Sequence, residues 1–316
     1  MRAAVASAIK PDEPLAALTV RDLPDPAPPD GWVTVDVRAS SLNRHDLWSL
    51  RGVGLRADRL PMILGCDAAG VDPDGNEVVA YPVLPDPADP RGLSLLSERY
   101  PGTLAERVAV PAENLIPKPA ELSFLDAACL PTAWLTAYHM LTTRGRAAEA
   151  ESVLVQGAGG GVATAAVVLA VAMGKRVYAT SRDAAKRDRV AQLGATALES
   201  GARLPERVDI VIESVGAPTF DHSLKSSKPG ARIVVAGATG GHQATVDLRR
   251  VFAMRLDILG ATMGSAAELA ALIDFMVARN LRPVIDSVYG FTAVAEAFAR
   301  LESGAVFGKV VIDHLN

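Results

Sequence analysis

The sequence is poor in cysteine, with only Cys66 and Cys129 among its 316 residues. Two cysteines exclude a disulfide framework and a four-cysteine zinc site. Basic residues are not in excess, since the net charge is -4, which argues against nucleic-acid or anionic-membrane partners. No apolar run reaches transmembrane length, and the first residues lack the apolar core of a signal peptide. We therefore expect a cytoplasmic protein whose partner is a small-molecule substrate.

The most informative stretch is an apolar run at 152–156, followed by a glycine cluster and an Ala/Val/Leu helix pattern to about Met173. Lys175–Thr180 then reads as a second strand, which completes a βαβ unit of the usual length. Glycines at such a turn let the backbone approach a pyrophosphate that faces the free N–H groups of the helix. The alternative is an ordinary strand-to-helix turn, because Ala163 stands where a third glycine is common. The context favours a dinucleotide site.

The patterns on either side of residue 123 differ. Before it, short apolar runs bounded by proline, glycine or aspartate predict strands at Ala3–Ala6, Trp32–Val37, Glu77–Tyr81 and Arg107–Val110, with an exposed loop at 85–91. After it, an apolar helical stretch runs from Leu125 to Leu141, broken or capped near Pro131. Strands and helices then alternate to the end of the chain. The alternation predicts an α/β fold with a doubly wound parallel sheet behind a β-rich first part.

Several motifs in order resemble one family. They are Ala39-Ser40-Ser41-Leu42-Asn43-Arg44-His45-Asp46, Leu64-Gly65-Cys66-Asp67-Ala68-Ala69-Gly70, Gly102-Thr103-Leu104-Ala105-Glu106, Leu135-Thr136-Ala137-Tyr138, the glycine turn, Ser214-Val215-Gly216 and Gly308-Lys309-Val310-Val311. The chain resembles the medium-chain dehydrogenase/reductases, in the zinc-free quinone oxidoreductase and enoyl reductase branch. The resemblance implies a GroES-like β-barrel catalytic domain at 1–122, a Rossmann domain at 123–262 and a C-terminal return to the catalytic domain at 263–316.

The zinc branch of this family holds a catalytic zinc through two cysteines and a histidine. The matching positions here are Asn43, Cys66 and Thr132, and an amide and a hydroxyl are poor zinc ligands. Residues 85–101 also lack the cysteines of a structural zinc lobe. We therefore expect no metal, and we interpret Cys66 as a small buried apolar residue.

Without a Lewis acid, hydride delivery suits an acceptor that is already activated. Trp48 stands where many zinc-free relatives have a proton-donating tyrosine, and an indole is no proton source near neutral pH. His45 could replace the tyrosine as the proton donor, because its ordinary pKa lies near 7. The alternative is that His45 is a solvated loop histidine without a catalytic role. The predicted catalytic residues are Asn43 and His45, and the predicted substrate-binding residues are Trp48 and Thr132. Asp46 is interpreted as a structural hydrogen-bond partner.

Cofactor choice is read at the end of the second strand of the βαβ unit. Ser181, Arg182 and Lys186 can surround a 2′-phosphate. Asp183 would instead favour NAD, unless its carboxylate caps the next helix. The alternative is that Arg182 and Lys186 belong to a solvated helix face. We expect NADP(H). The glycine turn supplies the predicted cofactor-binding residues Gly157, Gly160, Gly161 and Val162. The resemblance adds a nicotinamide site with Thr136, Val215, Gly237 and Ala238.

These expectations describe an NADPH-dependent oxidoreductase that reduces an activated C=C bond or a quinone without zinc. The alternatives are a non-catalytic nucleotide-binding relative, which the loss of tyrosine at Trp48 favours, and a zinc-type alcohol dehydrogenase. Leu256–Leu259 is a mostly apolar segment that could form an unpaired sheet edge. Because the family commonly pairs its Rossmann sheets edge to edge, we expect a homodimer.

Overall fold

A computed structural model describes all of residues 1–316 as two compact units. The first unit contains Met1–Thr132 and Leu269–Asn316, and the second contains Ala133–Glu268. The unit boundaries therefore fall after residues 132 and 268, whereas the sequence places them after residues 122 and 262.

Side-chain contacts near each unit boundary tie the flanking residues to their unit. Ser41 Oγ in the first unit lies 2.9 Å from the carbonyl oxygen of Ala128, a contact that ties residues 123–132 to that unit. Glu268 accepts hydrogen bonds from His139 and Thr143 of the second unit, which ties residues 263–268 there.

The elements are listed here in chain order. The strands are β1 Arg2–Ala6, β2 Leu18–Asp22, β3 Trp32–Leu42, β4 Met62–Ile63, β5 Asp67–Val71, β6 Glu77–Ala80, β7 Val83–Pro85, β8 Leu93–Leu95, β9 Arg107–Pro111, β10 Leu115–Pro117, β11 Ser152–Val155, β12 Arg176–Ser181, β13 Thr196–Glu199, β14 Val208–Glu213, β15 Ser227–Val235, β16 Asp257–Gly260, β17 Ile285–Gly290 and β18 Lys309–Asp313. The α-helices are α1 Arg44–Leu50, α2 Phe124–Ala127, α3 Leu135–His139, α4 Gly161–Ala172, α5 Ala184–Gln192, α6 Ala217–Ser226, α7 Leu248–Met254, α8 Ala266–Ala278 and α9 Val294–Glu302. None of them is long and apolar enough to cross a membrane.

The first unit is built around a mixed sheet in the order β10-β6-β5-β3-β18-β17, with β9 also paired to β3. Strand β18 runs antiparallel to β3 and places Val310 opposite Leu42. The C-terminal segment thus returns to the first unit, as the resemblance implies. This register brings Asn43, just after β3, and Lys309, at the start of β18, to the same end of the sheet.

The second unit is a six-stranded parallel sheet in the order β13-β12-β11-β14-β15-β16. From β11 the chain winds outward through β12 and β13, then crosses to β14 and winds outward the other way. The strand order therefore reverses between β11 and β14, and ligands of open α/β sheets bind at the carboxyl ends of the strands beside such a reversal. The doubly wound α/β fold that the sequence predicts is confirmed.

Several elements differ from their prediction. The helix expected at 125–141 is divided into α2, a π-helical turn at Leu130–Trp134 and α3, and Pro131 within that turn has no N–H for a regular helix ladder. Strand β3 runs five residues past its predicted end because Ser40 and Ser41 are buried and hydrogen-bonded rather than surface residues. The sequence does not predict β13 and α7, because these elements are too short to show a clear strand or helix periodicity.

Candidate functional site

A buried ion pair lies in the first unit where β3, β5 and β18 are neighbours. Lys309 Nζ donates to Asp67 Oδ2 at 3.0 Å, to Asn43 Oδ1 at 2.6 Å and to the carbonyl oxygen of Leu42 at 2.8 Å. The side chains of Lys309 and Asp67 are 2% and 0% exposed. A buried ammonium must replace its hydration with protein acceptors, and these three acceptors match its three protons.

Two of the predicted site residues meet at Asp67. Asn43 Nδ2 donates to Asp67 Oδ2 at 2.8 Å, and Thr132 Oγ1 donates to Asp67 Oδ1 at 2.5 Å. Ser41 Oγ donates to the same carboxylate at 2.6 Å. The only hydroxyl proton of Thr132 is therefore engaged, and one amide proton of Asn43 remains for a substrate. Their roles toward substrate stay predictions.

The positions that hold zinc in the zinc branch do not form a ligand set here. Asn43 and Thr132 bond to Asp67, which Lys309 already neutralises. The thiol of Cys66 instead donates to the carbonyl oxygen of Leu96 at 3.2 Å. This set therefore offers only one soft ligand, because an amide and a hydroxyl engaged with Asp67 do not fit a zinc ion.

His45 on α1 is the centre of a second polar cluster in the first unit. Its Nδ1 lies 3.4 Å from Cys66 Sγ, and its Nε2 lies 3.1 Å from Glu98 Oε1. Glu98 is held in turn by Arg91 Nη2 at 2.9 Å and by the N–H of Leu95 at 3.1 Å. His45 is thus a bonded, mostly buried side chain rather than a solvated one. Cys66 is buried, as expected, but it belongs to this polar chain and is not merely apolar.

The side chains of this polar cluster shift one another's pKa values. Burial lowers the pKa of His45, but Cys66, Glu98 and Asp46 together raise it well above its ordinary value. Burial raises the pKa of the Cys66 thiol, and the nearby imidazole opposes that rise without cancelling it. Burial also acts to raise the pKa of Glu98, but hydrogen bonds from His45, Leu95 and Arg91 bring it below its ordinary value. The lowered pKa of Glu98 and the raised pKa of His45 together favour a charged imidazole beside the Glu98 carboxylate.

The other residues of α1 divide into structural and exposed ones. Asp46 accepts hydrogen bonds from the N–H groups of Asn43 at 2.7 Å and Gly65 at 3.2 Å, which confirms its structural interpretation. Trp48 is 38% exposed, and the Arg51 guanidinium lies 5.6 Å from its ring centroid. The indole is available to an apolar ligand and offers no proton.

The glycine turn of the second unit follows β11 directly and leads into α4. Gly157 has φ +66°, and a side chain there would collide with Val215. A Cβ on Gly159 would lie 3.0 Å from Lys186 Cδ and 3.3 Å from Lys186 Nζ, so this lysine reaches back over the turn. Gly160, the N-cap of α4, has open space where a side chain would be. An open turn at a helix N-terminus beneath an ammonium group fits the phosphates of a dinucleotide.

The predicted specificity residues lie together at the end of β12. Asp183 accepts a hydrogen bond from the N–H of Lys186 at 3.2 Å, which confirms that it caps α5. Ser181 Oγ accepts from the N–H of Asp183, and the Ser181 carbonyl accepts from Arg187 Nη1 at 2.9 Å. Arg182 is exposed beside them. Arg187 thus adds a third cation to the two that the sequence singles out.

The loops after β14 and β15 hold the predicted nicotinamide residues. Glu213, fully buried, accepts from the N–H groups of Val215 at 2.9 Å and Gly216 at 3.0 Å, which fixes the loop that packs against Gly157. A side chain on Gly216 would press on Ala238 at 3.1 Å, and Gly237 lies against Ser214. Val215 therefore joins the glycine turn, and Gly237 and Ala238 line the next loop.

Thr136, the other predicted nicotinamide residue, lies on α3. Its hydroxyl donates to Met263 Sδ at 3.7 Å. Its role toward a nicotinamide stays a prediction.

Four residues escaped the sequence reasoning. Asp67 and Lys309 stand inside quoted motifs, Gly65-Cys66-Asp67 and Gly308-Lys309-Val310, but nothing local shows that they pair. Glu98 lies in the 85–101 segment, for which the sequence analysis considered only the absence of zinc-binding cysteines. Arg187 follows Lys186 directly, and the basic run Lys186-Arg187 is the one signal that could have included it.

A parallel doubly wound sheet with a glycine turn, together with a β-rich unit that contains the C-terminal strand, is typical of nucleotide-dependent oxidoreductases. Two family models match the chain: "Alcohol dehydrogenase GroES-like domain" at residues 29–120 and "Zinc-binding dehydrogenase" at residues 186–312. The chain belongs to the medium-chain dehydrogenase/reductase superfamily.

Similar proteins differ in their named activities. A crystal structure described as an NAD-dependent alcohol dehydrogenase is 34% identical, with 99% of each chain covered and a TM-score of 0.86. An acryloyl-coenzyme A reductase from Metallosphaera sedula is 28% identical, with 93% of this chain and 95% of that protein covered. A "zinc-type alcohol dehydrogenase-like protein" from Leptosphaeria maculans is 28% identical, with coverages of 91% and 92%.

Proposed function

We propose that this chain is an NADPH-dependent reductase that adds hydride to a conjugated C=C bond of an α,β-unsaturated carbonyl compound, or to a quinone, without zinc. The observation that carries the proposal is the hydrogen-bonded Asp67–Lys309 network at Asn43 and Thr132, in place of a zinc ligand set. Without a Lewis acid the acceptor must be electrophilic by itself. The similarity to an acryloyl-coenzyme A reductase supports an acceptor of this kind.

The second unit would bind the cofactor, which supplies a hydride from C4 of its nicotinamide ring. Gly160 and the N-terminus of α4 would hold the pyrophosphate beneath Lys186. Arg182, Arg187 and the Ser181 hydroxyl would surround a 2′-phosphate. The carboxylate of Asp183 is engaged as a helix cap, and this favours NADPH over NADH, whose ribose usually meets a free carboxylate.

The first unit would stabilise the charge that hydride addition leaves on the carbonyl oxygen. The free amide proton of Asn43 is the donor already in place, because the hydroxyl of Thr132 is engaged with Asp67. The final proton would come from water or from His45. Water needs no rearrangement, whereas His45 must first release Cys66 or Glu98 from its ring nitrogens.

The proposal is tested with chelator-treated protein and a panel of enones, quinones and simple alcohols. We expect NADPH oxidation with at least one enone or quinone, at the same rate before and after chelation. Alcohol oxidation that chelation abolishes and zinc restores would instead make the chain a zinc-type alcohol dehydrogenase. Tight NADPH binding without any turnover would make it a non-catalytic nucleotide-binding protein.

A further inference from the structure

Three side chains of different chemistry converge beside α1 in the first unit. His45, Asp46 and Cys66 each offer one ligand atom, and these atoms all lie within 4.8 Å of one another. Asp46 and Cys66 are fully buried, and His45 is 19% exposed. An imidazole, a carboxylate and a thiol are the three ligand types of zinc sites in proteins.

The closest pair has the spacing of two ligands on one ion. Zinc or cobalt holds sulfur at about 2.3 Å and nitrogen at about 2.0 Å, and a tetrahedral angle then puts the two ligand atoms about 3.5 Å apart. Cys66 Sγ and His45 Nδ1 are 3.4 Å apart. An ion can therefore replace the hydrogen bond between them without separating α1 from the Cys66 segment.

A carboxylate already stands behind the imidazole. Metal-bound histidines almost always donate their other ring N–H to a carboxylate or carbonyl group, which fixes the ring and its tautomer. Glu98 Oε1 holds His45 Nε2 in this way at 3.1 Å, and Arg91 and the N–H of Leu95 hold Glu98. The ring therefore presents Nδ1 toward Cys66 and Asp46.

We propose that Cys66 Sγ, His45 Nδ1 and one carboxylate oxygen of Asp46 bind a divalent ion of intermediate softness, such as zinc or cobalt. This ligand set differs from Asn43, Cys66 and Thr132, the positions that match the zinc branch. The thiolate and the carboxylate neutralise the dication, and the thiol proton leaves to solvent together with any proton on Nδ1. Three protein ligands leave a fourth position open to water.

The site should exchange its ion readily. Both oxygens of Asp46 already accept a backbone N–H, so each offers only its second lone pair to the ion. Binding must also displace the proton of a fully buried thiol. A chelator should therefore empty the site, and binding does not depend on the reaction proposed above.

Cobalt titration of the chelator-treated full-length protein tests the proposal. We expect a thiolate-to-cobalt charge-transfer absorption that saturates at one cobalt per chain. Cys66→Ser should abolish this absorption, and Cys129→Ser should keep it, because Cys129 is an equally buried thiol bonded only to the carbonyl of Leu125. Glu98→Gln should weaken cobalt affinity about 10–100-fold, the usual effect of losing such a supporting group.

X-ray absorption of the cobalt-loaded unmodified protein keeps the test independent of how the variants fold. It should find one sulfur among nitrogen and oxygen ligands. Absence of the charge-transfer band in the unmodified protein, a band that survives Cys66→Ser, or a cobalt shell without sulfur would each overturn the site.

Discussion

The ammonium group of Lys309 is desolvated, and three protein acceptors stabilise its charge. The partner that carries the charge, Asp67, is 242 residues away in sequence. Pairs of this kind add little net stability when both charges are present, but they are costly to break because one buried charge is left alone. The pair thus fixes where β3, β5 and β18 meet, and with them the orientation of Asn43.

Lys309→Met should lower the free energy of unfolding by about 3–5 kcal/mol, because it leaves the carboxylate of Asp67 buried without a cation. Urea denaturation measures the loss. The double variant Lys309→Met/Asp67→Asn should recover part of it. Lys228→Met is the matched control, since Lys228 and Asp209 are about 30% exposed and should contribute about 1 kcal/mol or less. Equal losses for Lys309→Met and Lys228→Met would contradict the assigned role.

Arg182→Ala should weaken NADPH binding by about 1.5–3 kcal/mol, roughly tenfold or more in Kd, and leave NADH nearly unchanged. The reason is the proposed contact between the arginine and the 2′-phosphate, which NADH lacks. Titration calorimetry with both nucleotides measures the difference. Arg203→Ala, an exposed arginine of the same unit, serves as the control. If the unmodified protein binds both nucleotides equally, the proposed choice of cofactor is wrong.

Residue-scale inference from the sequence succeeded where the signal is local. The cap formed by Asp183 and the structural role of Asp46 depend on neighbours within a few residues, so the sequence could predict them. The bonds of Cys66 to His45 and Leu96, and of Glu98 to His45, join segments 21 to 53 residues apart. No pattern in a single chain encodes such distances, and the polar chain around His45 became visible only in the structure.

Among the elements, α8 begins with a reciprocal cap. Ser265 Oγ accepts from the N–H of Glu268, and Glu268 Oε2 accepts from the N–H of Ser265. Burial acts to raise the pKa of Glu268, but hydrogen bonds from Thr143, Ser265 and His139 outweigh it and lower that pKa to about 2. The carboxylate thereby links the start of α8 to α3 and the turn that follows it.

The lowered pKa predicts how stability changes with pH. The folded pKa of Glu268 lies below its value in the unfolded chain, so its stabilisation is complete above about pH 5 and is lost as the pH falls toward 2. Glu268→Gln should therefore unfold more easily than the unmodified protein at pH 7, and the gap should narrow below about pH 4.5. Glu296→Gln, an exposed change on α9, is the control. Urea denaturation at each pH measures the difference in unfolding free energy between Glu268→Gln and the unmodified protein. A difference that stays constant with pH would contradict the stabilising role of the Glu268 carboxylate.

Strand β16 is the open edge of the parallel sheet, paired to β15 alone. Ile258 on that edge is 42% exposed, and Leu248 and Phe252 on the preceding helix α7 are 71% and 72% exposed. Open edges and apolar side chains of this kind favour association. We propose that a second copy of the chain covers them, as the sequence led us to expect.

Ile258→Lys should convert the proposed homodimer into a monomer, because it places a charge on the paired edge. Light scattering at micromolar concentration measures the mass. Val20→Lys, an equally exposed valine on β2 of the first unit, should leave the dimer intact. A monomeric mass for the unmodified protein would refute the dimer.

At the scale of the whole molecule, the sequence predicts the types of element better than the long-range pairing between them. The β-rich part and the α/β alternation follow from local periodicity, and the alternation predicts a parallel doubly wound sheet. The pairing of β18 with β3 does not, because it joins the two ends of the chain, and only the family resemblance implied it. The contacts of Ser41 and Glu268 near the unit boundaries join segments 87 and 129 residues apart, and local sequence patterns do not predict contacts of that range.

The most direct test of the proposed function follows the hydride itself. Chelator-treated protein is supplied with NADPH deuterated at C4 and with an enone that it turns over, and the product is analysed by NMR. Hydride addition to a conjugated system predicts deuterium at the β-carbon and a proton from water at the α-carbon. Deuterium at the carbonyl carbon, with an alcohol as the product, would contradict zinc-free reduction of an activated C=C bond.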